Sequence, residues 1–159
     1  MRAAHPRVTL KRAAQLFPAC LLATFLAGCG RAAPEAQLLE IAPADGTADL
    51  ARLLPGAWDR VCILAPYSTN SRAAEVLGSG IDITGSSDIG WSDSIALLVT
   101  MQGDQATGLY EVPLDGLNFA RLGGHCYQHD AARFTVDKRG ARYATAVDPP
   151  SGNHAPARP

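Results

Sequence analysis

The residue types able to do chemistry gather in two stretches of this chain. His125-Cys126-Tyr127-Gln128-His129 places one cysteine and two histidines in a row of five, and a Cys and a His three apart can share a metal ion. A closed structural zinc site needs a tetrahedral set of such ligands at comparable spacings. No second Cys/His cluster accompanies this one, so no metal is expected, and His125 and His129 read as polar loop residues bracketed by Gly and Asp. The second stretch, Gly78 to Ser92, is rich in Gly, Ser, Asp and Ile. Asp82, Asp88 and Asp93 offer carboxylates to calcium, but their spacing misses the alternate ligand positions and closing Glu of an EF-hand loop. Ser86 or Ser87, with His125 or His129 as base and one aspartate to orient it, supplies every residue type of a nucleophilic triad. However, Gly85-Ser86-Ser87-Asp88-Ile89 lacks the final Gly of a nucleophile elbow, and no catalytic residue is assigned. Gly78-Ser79-Gly80 lacks the third Gly and the βαβ setting of a dinucleotide fingerprint, so it reads as a helix stop and no cofactor is expected. Trp91 closes the stretch. It either packs on the core beside Ile89 or serves as an interface anchor, a role in which Trp is favoured, and it is the candidate partner contact.

Hydrophobic periodicity predicts the elements that hold these residues. Trp58 to Ala65 reads as a strand, apolar on both alternating sets from Val61 onward and therefore covered on both faces. After Pro66-Tyr67-Ser68, one of Thr69, Asn70 and Ser71 caps a helix over Arg72 to Leu77 that Gly78 ends in the left-handed conformation. Ser94 to Met101 is a second buried strand, turning at Gln102-Gly103-Asp104-Gln105 and returning through Leu109 to Val112 as a hairpin. Thr47 is expected to cap a short amphipathic helix over Ala48 to Leu54, stopped by Pro55-Gly56. Leu38, Leu39 and Ile41 suit a short strand, Leu114 to Leu122 one helical turn, Cys126 a loop or short strand. Arg133 to Val136 pairs with Tyr143 to Val147 as a closing hairpin. The expected fold is α+β: one mostly antiparallel sheet of about four to five strands with two or three short helices.

Upstream of the domain, Arg2, Arg7, Lys11 and Arg12 form a basic region with no acid, and Leu16 to Gly28 is an apolar run broken only by Pro18 and Thr24. A membrane-spanning helix needs about 20 apolar residues, and this run is too short. The layout is that of a signal peptide, and it ends in Leu26-Ala27-Gly28-Cys29, which resembles the lipobox of bacterial lipoproteins. The resemblance implies cleavage before Cys29, acylation of its sulfur and new amine, and retention at a membrane by acyl chains worth about 0.8 kcal/mol per buried methylene. Gly30, where an Asp is associated with inner-membrane retention in diderm lipoproteins, implies the periplasmic face of the outer membrane. The run from Trp58 to Tyr67, with the capped helix ending at Leu77-Gly78, also resembles small bacterial envelope lipoproteins over residues 55–78, a likeness that carries no activity with it.

Removing residues 1–28 leaves 10 basic against 15 acidic side chains, a net charge of −5. Nucleic acid, whose phosphates call for clustered Lys and Arg, is thereby disfavoured as a partner, as is electrostatic attachment to anionic lipid. With Cys20 in the signal peptide and Cys29 lipidated, Cys62 and Cys126 are left in an oxidising envelope compartment and are expected to form a disulfide. The organisation expected is signal peptide 1–28, lipidated Cys and tether 29–44, a single α+β domain 45–148 and a Pro-rich disordered tail 149–159. The functional class that fits is binding or structural service in the cell envelope, toward an envelope protein or peptidoglycan. The alternatives are a small envelope hydrolase, or a protease or lysozyme inhibitor presenting the Ser79 to Ser92 loop.

Overall fold

Val61 to Leu64 and Ala96 to Val99 are apolar at consecutive positions, a pattern that suits strands covered on both faces, and the fold provides both covers. The structure, a computed structural model, describes residues 34–41, 46–136 and 142–151. The chain divides after Gly30, and all described residues belong to the second unit; the expected signal peptide (residues 1–28) and Cys29 lie outside the described residues. In chain order the elements are β1 (Ala36–Leu38), β2 (Thr47–Asp49), α1 (Leu50–Leu53), β3 (Arg60–Leu64), α2 (Asn70–Leu77), β4 (Ile95–Gln102), β5 (Gln105–Pro113), β6 (Cys126–Gln128), β7 (Arg133–Val136) and β8 (Ala144–Ala146). Short 3-10 turns occupy Asp88–Gly90, Ala120–Leu122 and His129–Ala131.

These elements give an α+β fold with two sheets. The larger runs β1-β5-β4-β3-β6 and the smaller β2-β7-β8. The expected β4–β5 hairpin forms around Gly103, whose φ of 57° suits the tight reversal. The β7–β8 pair also forms, but in the separate three-stranded sheet. Two expectations are corrected. The five-stranded sheet is mixed, not mostly antiparallel, because β1 lies parallel to β5 with Ala36 opposite Leu109 and Leu38 opposite Glu111. Three residues of Ala, Gln and Leu carry no periodicity of their own, so their pairing is decided by the edge that β5 leaves open. Second, Thr47 does not cap a helix. Thr47–Asp49 is a strand on β7 that buries Ala48, and the helix shrinks to Leu50–Leu53 with Asp49 as its cap, accepting from the Ala51 N–H at 3.1 Å.

The strand alternation sorts the core into two layers. Val61, Ile63, Ala96, Leu98, Tyr110 and Val112 face the small sheet, where Leu50, Phe119, Tyr127 and Phe134 fill the space. Cys62, Leu64, Leu97, Val99, Met101 and Leu109 face the other way, onto Ala73, Val76 and Leu77 of α2 and onto Ile83 and Ile89. Fully burying one such Leu or Ile contributes roughly 1.5–3 kcal/mol, so the loop after α2 is tied to the domain by apolar burial at two points. Cys62 and Cys126 stand directly opposite each other on β3 and β6, with Cα atoms 4.0 Å apart, and form the expected disulfide beneath α2. The chain past β8 is also held: the Ser151 N–H donates to the Cys126 carbonyl and its hydroxyl accepts from Gln128 N–H.

Candidate functional site

The stretch from Gly78 to Ser92 is a loop fastened at successive points. Its first fastening is the start of α2, where Thr69 caps the helix by accepting from Arg72 N–H; Gly78, at φ 75°, ends it as the left-handed residue expected there. Asn70, in the first turn, reaches across to the loop. Its side-chain oxygen accepts from the N–H groups of Ile83 and Thr84, and its amide donates to Asp82 Oδ1 at 2.9 Å and to Thr84 Oγ1 at 3.2 Å. Asp82 Oδ1 also accepts from Thr84 Oγ1 and from Gly85 N–H. The Asn70 amide chiefly, then the Gly85 N–H and the Thr84 hydroxyl, hold the Asp82 carboxyl below its ordinary range. A carboxyl whose folded value is lowered adds stability above its unfolded value, about 3.9, and that stability is lost as the pH falls through the folded value. An NMR titration should therefore show Asp82 titrating below a free Asp, with Asn70→Ala moving it upward. Titration at the free value in the wild type would remove this clamp from the account.

The second fastening makes a cleft. Ala36 N–H donates to the Ser86 carbonyl at 2.9 Å, joining β1 to the loop. Glu111, on the α2 side of β5, accepts at a single oxygen both the Ser87 hydroxyl at 2.7 Å and Asp88 N–H at 2.8 Å, while Ser87 Oγ accepts from Ile89 N–H. The result is an open cleft of about 530 Å³ lined by Glu35, Ala36, Thr84 to Asp88 and Glu111. Ser86 and Ser87 thus line a cavity, but the partner of Ser87 is Glu111 and not a histidine. His125 and His129 flank β6, at the edge of the sheet opposite β1, so the structure does not bring the residues of a triad together.

The metal readings have the same outcome. His125 and His129 are both exposed; His129 packs on Trp58 with ring centroids 4.3 Å apart, and Cys126 is spent in the disulfide. Asp82 accepts hydrogen bonds from Asn70, Thr84 and Gly85. Among the described residues no group of three His, Cys, Asp or Glu side chains is placed to hold a metal ion.

Trp91 follows the 3-10 turn that Ser87 caps. Ile89 plunges into the core while Trp91 stands 70 % exposed. The backbone that carries it is fixed: Trp91 N–H and Ser92 N–H both donate to the Asp88 carbonyl, and the Ile89 carbonyl accepts from Tyr67 N–H at 2.9 Å. Tyr67 holds a φ of 61° and is itself 58 % exposed. A non-glycine residue pays about 1–2 kcal/mol for that conformation, so this corner is held by the packing around it. Sequence reading missed Glu35 and Glu111. A signal was present for the latter, since Glu111 shares the strand face of Leu109, where the alternation calls for an apolar residue. Comparison with known protein families, curated proteins and solved structures finds no match to this chain.

Proposed function

We propose that this chain is a lipoprotein of the bacterial cell envelope, anchored through acyl chains on Cys29 to the periplasmic face of the outer membrane, whose domain binds an envelope partner through the Gly78 to Ser92 loop. The observation that carries the binding role is Trp91. A large aromatic side chain exposed on a backbone fastened to the core pays little ordering entropy on contact, which is the condition that lets a residue act as an anchor. The dispersal of Ser86, Ser87 and the histidines favours binding over hydrolysis. A fixed loop with an exposed aromatic is also what an inhibitor of an envelope protease or lysozyme presents, and that reading belongs to the same class. No described helix is long and apolar enough to cross a membrane, and in this reading the lipid alone supplies attachment.

One preparation tests both halves. Intact mass of protein extracted from membranes should show loss of residues 1–28 with added acyl mass, and Cys29→Ser should abolish both. Crosslinked capture from solubilised envelopes should fall by roughly tenfold or more in Trp91→Ala with the melting temperature unchanged. Capture that persists while the melting temperature drops would make Trp91 a structural residue and remove the docking role.

A further inference from the structure

The cleft formed with the Gly78 to Ser92 loop has a charge that the described cations leave unanswered. Glu35, Asp88 and Glu111 line it, and the described cations are placed elsewhere. Arg52 pairs with Asp49, Arg72 with Glu75 and Arg133 with Asp148. Arg60 donates to the Gly103 and Leu77 carbonyls, Arg121 lies over the Tyr143 ring, and Arg142 lines a different cleft with Glu40 and Asp115. No ion pair among the described residues involves the three cleft carboxylates. Both hydrogen bonds that the Glu111 carboxylate accepts come to one of its oxygens, from Ser87 and Asp88. Leu38, opposite Glu111 in the β1–β5 register, is 66 % exposed, and along the chain Trp91 follows directly on the turn that Asp88 opens.

Resting on the docking role proposed above, we infer that the partner segment received here is cationic: a Lys- or Arg-bearing stretch of a protein, its charge between the cleft carboxylates and its neighbouring apolar side chain against Trp91 and Leu38. A guanidinium suits paired carboxylates because its fixed fork of donors matches their geometry. An anionic lipid surface would meet repulsion from Glu35, Asp88 and Glu111, and a neutral glycan would leave their charge unmatched.

The test uses the full mature lipoprotein in detergent micelles and a fluorescein-labelled acetyl-Gly-Arg-Leu-Arg-Gly peptide, read by fluorescence polarisation against empty micelles. The control is the same peptide with citrulline, a neutral isostere, in place of arginine. Saturable binding of the arginine peptide is expected, weakening when salt rises from about 50 to 500 mM, with the citrulline peptide bound at least tenfold more weakly. Joint Glu35→Gln and Glu111→Gln substitution should cost tenfold or more. Gln keeps the acceptor oxygen for Ser87 and Asp88, and an unchanged melting curve verifies that the fold is retained. Equal binding of the two peptides, or binding indifferent to the double substitution, overturns the inference. So does Trp91-dependent binding of phosphatidylethanolamine vesicles or of an N-acetylglucosamine tetramer in place of the peptide. If envelope capture depends on Trp91 but ignores the double substitution, the cationic assignment falls and the docking role stands; capture indifferent to Trp91 takes both.

Discussion

Replacing both Cys62 and Cys126 with Ala should cost about 4 kcal/mol of folding stability, the chain-entropy value for a loop of roughly 65 residues. In a domain of this size that lowers the melting temperature by roughly 15–25 °C. The large figure follows from where the bridge lies. It joins β3 at the centre of the five-stranded sheet to β6 at its edge, and β6 has three residues with which to hold its place. The sulfurs lie under α2, with Cys126 Sγ 3.5 Å from the Val76 carbonyl, so the same link fixes the helix from which Asn70 reaches out to the Gly78 to Ser92 loop. Denaturant melts of oxidised, reduced and double-Ala protein measure the effect. Amide exchange should show which part loosens first: Ile63 and Gly124, whose N–H groups donate across the β3–β6 boundary to the His125 and Ile63 carbonyls, lose protection before β4 and β5. A loss under about 1 kcal/mol, or uniform loosening of all strands, would mean that the bridge only decorates a sheet already closed by packing. For comparison, total stabilities of domains run about 5–15 kcal/mol, so the expected loss is a large share of what holds the domain folded.

The parts of the fold legible from sequence are those whose signal is local. β3 and β4 announce themselves by unbroken apolar runs, α2 by Thr69 at one end and Gly78 at the other, and the β4–β5 hairpin by Gly103 between two apolar segments. The disulfide was accessible because compartment and cysteine count left a single pairing. β1 and β2 were not legible in the same way. Each is three residues long and gains its hydrogen bonds from a strand far along the chain, β5 in one case and β7 in the other. Nothing in Ala36-Gln37-Leu38 or Thr47-Ala48-Asp49 states that preference, and in the second case helix propensity points the wrong way. Tertiary pairing decided both.

The same division runs through the candidate site. Ser86, Ser87, Asp88 and Trp91 sit in a stretch whose composition and length single it out, since ordinary connections run about four to six residues. Their actual partners do not follow from that composition. Glu111 meets Ser87 because β5 places it on the α2 side, and Glu35 meets the cleft because β1 joins β5 in parallel. The triad reading failed for a related reason. Ser87 meets Glu111 on β5 while His129 follows β6, with β4 and β3 between those strands, and sheet order is what spacing along the chain does not carry.

Phe134→Ala should destabilise the domain by about 3–5 kcal/mol, the range for removing a fully buried aromatic ring. Phe134 sits on β7 of the small sheet and meets Tyr127, on β6 of the large one, edge to face at 5.0 Å, with Phe119 from the connecting segment edge to face at 5.2 Å. It is wholly buried and therefore couples the two sheets through a three-ring cluster. Removing it strips both aromatic pairs, worth about 0.5–1.5 kcal/mol each beyond area, and leaves a cavity that Ala132 and Ala144 are too small to fill. Phe134→Leu isolates the packing share: it keeps most of the apolar volume and should cost less than half as much. If the sheets are coupled in this way, fluorescence and far-ultraviolet melts of Phe134→Ala fall together at a lower denaturant midpoint. If instead β2, β7 and β8 melt first while the β3–β4–β5 amides stay protected, the small sheet is a separately unfolding cover. In that case the cleft and Trp91, which lie on the opposite face of the large sheet, should keep their peptide binding in Phe134→Ala even at denaturant concentrations where the small sheet is lost.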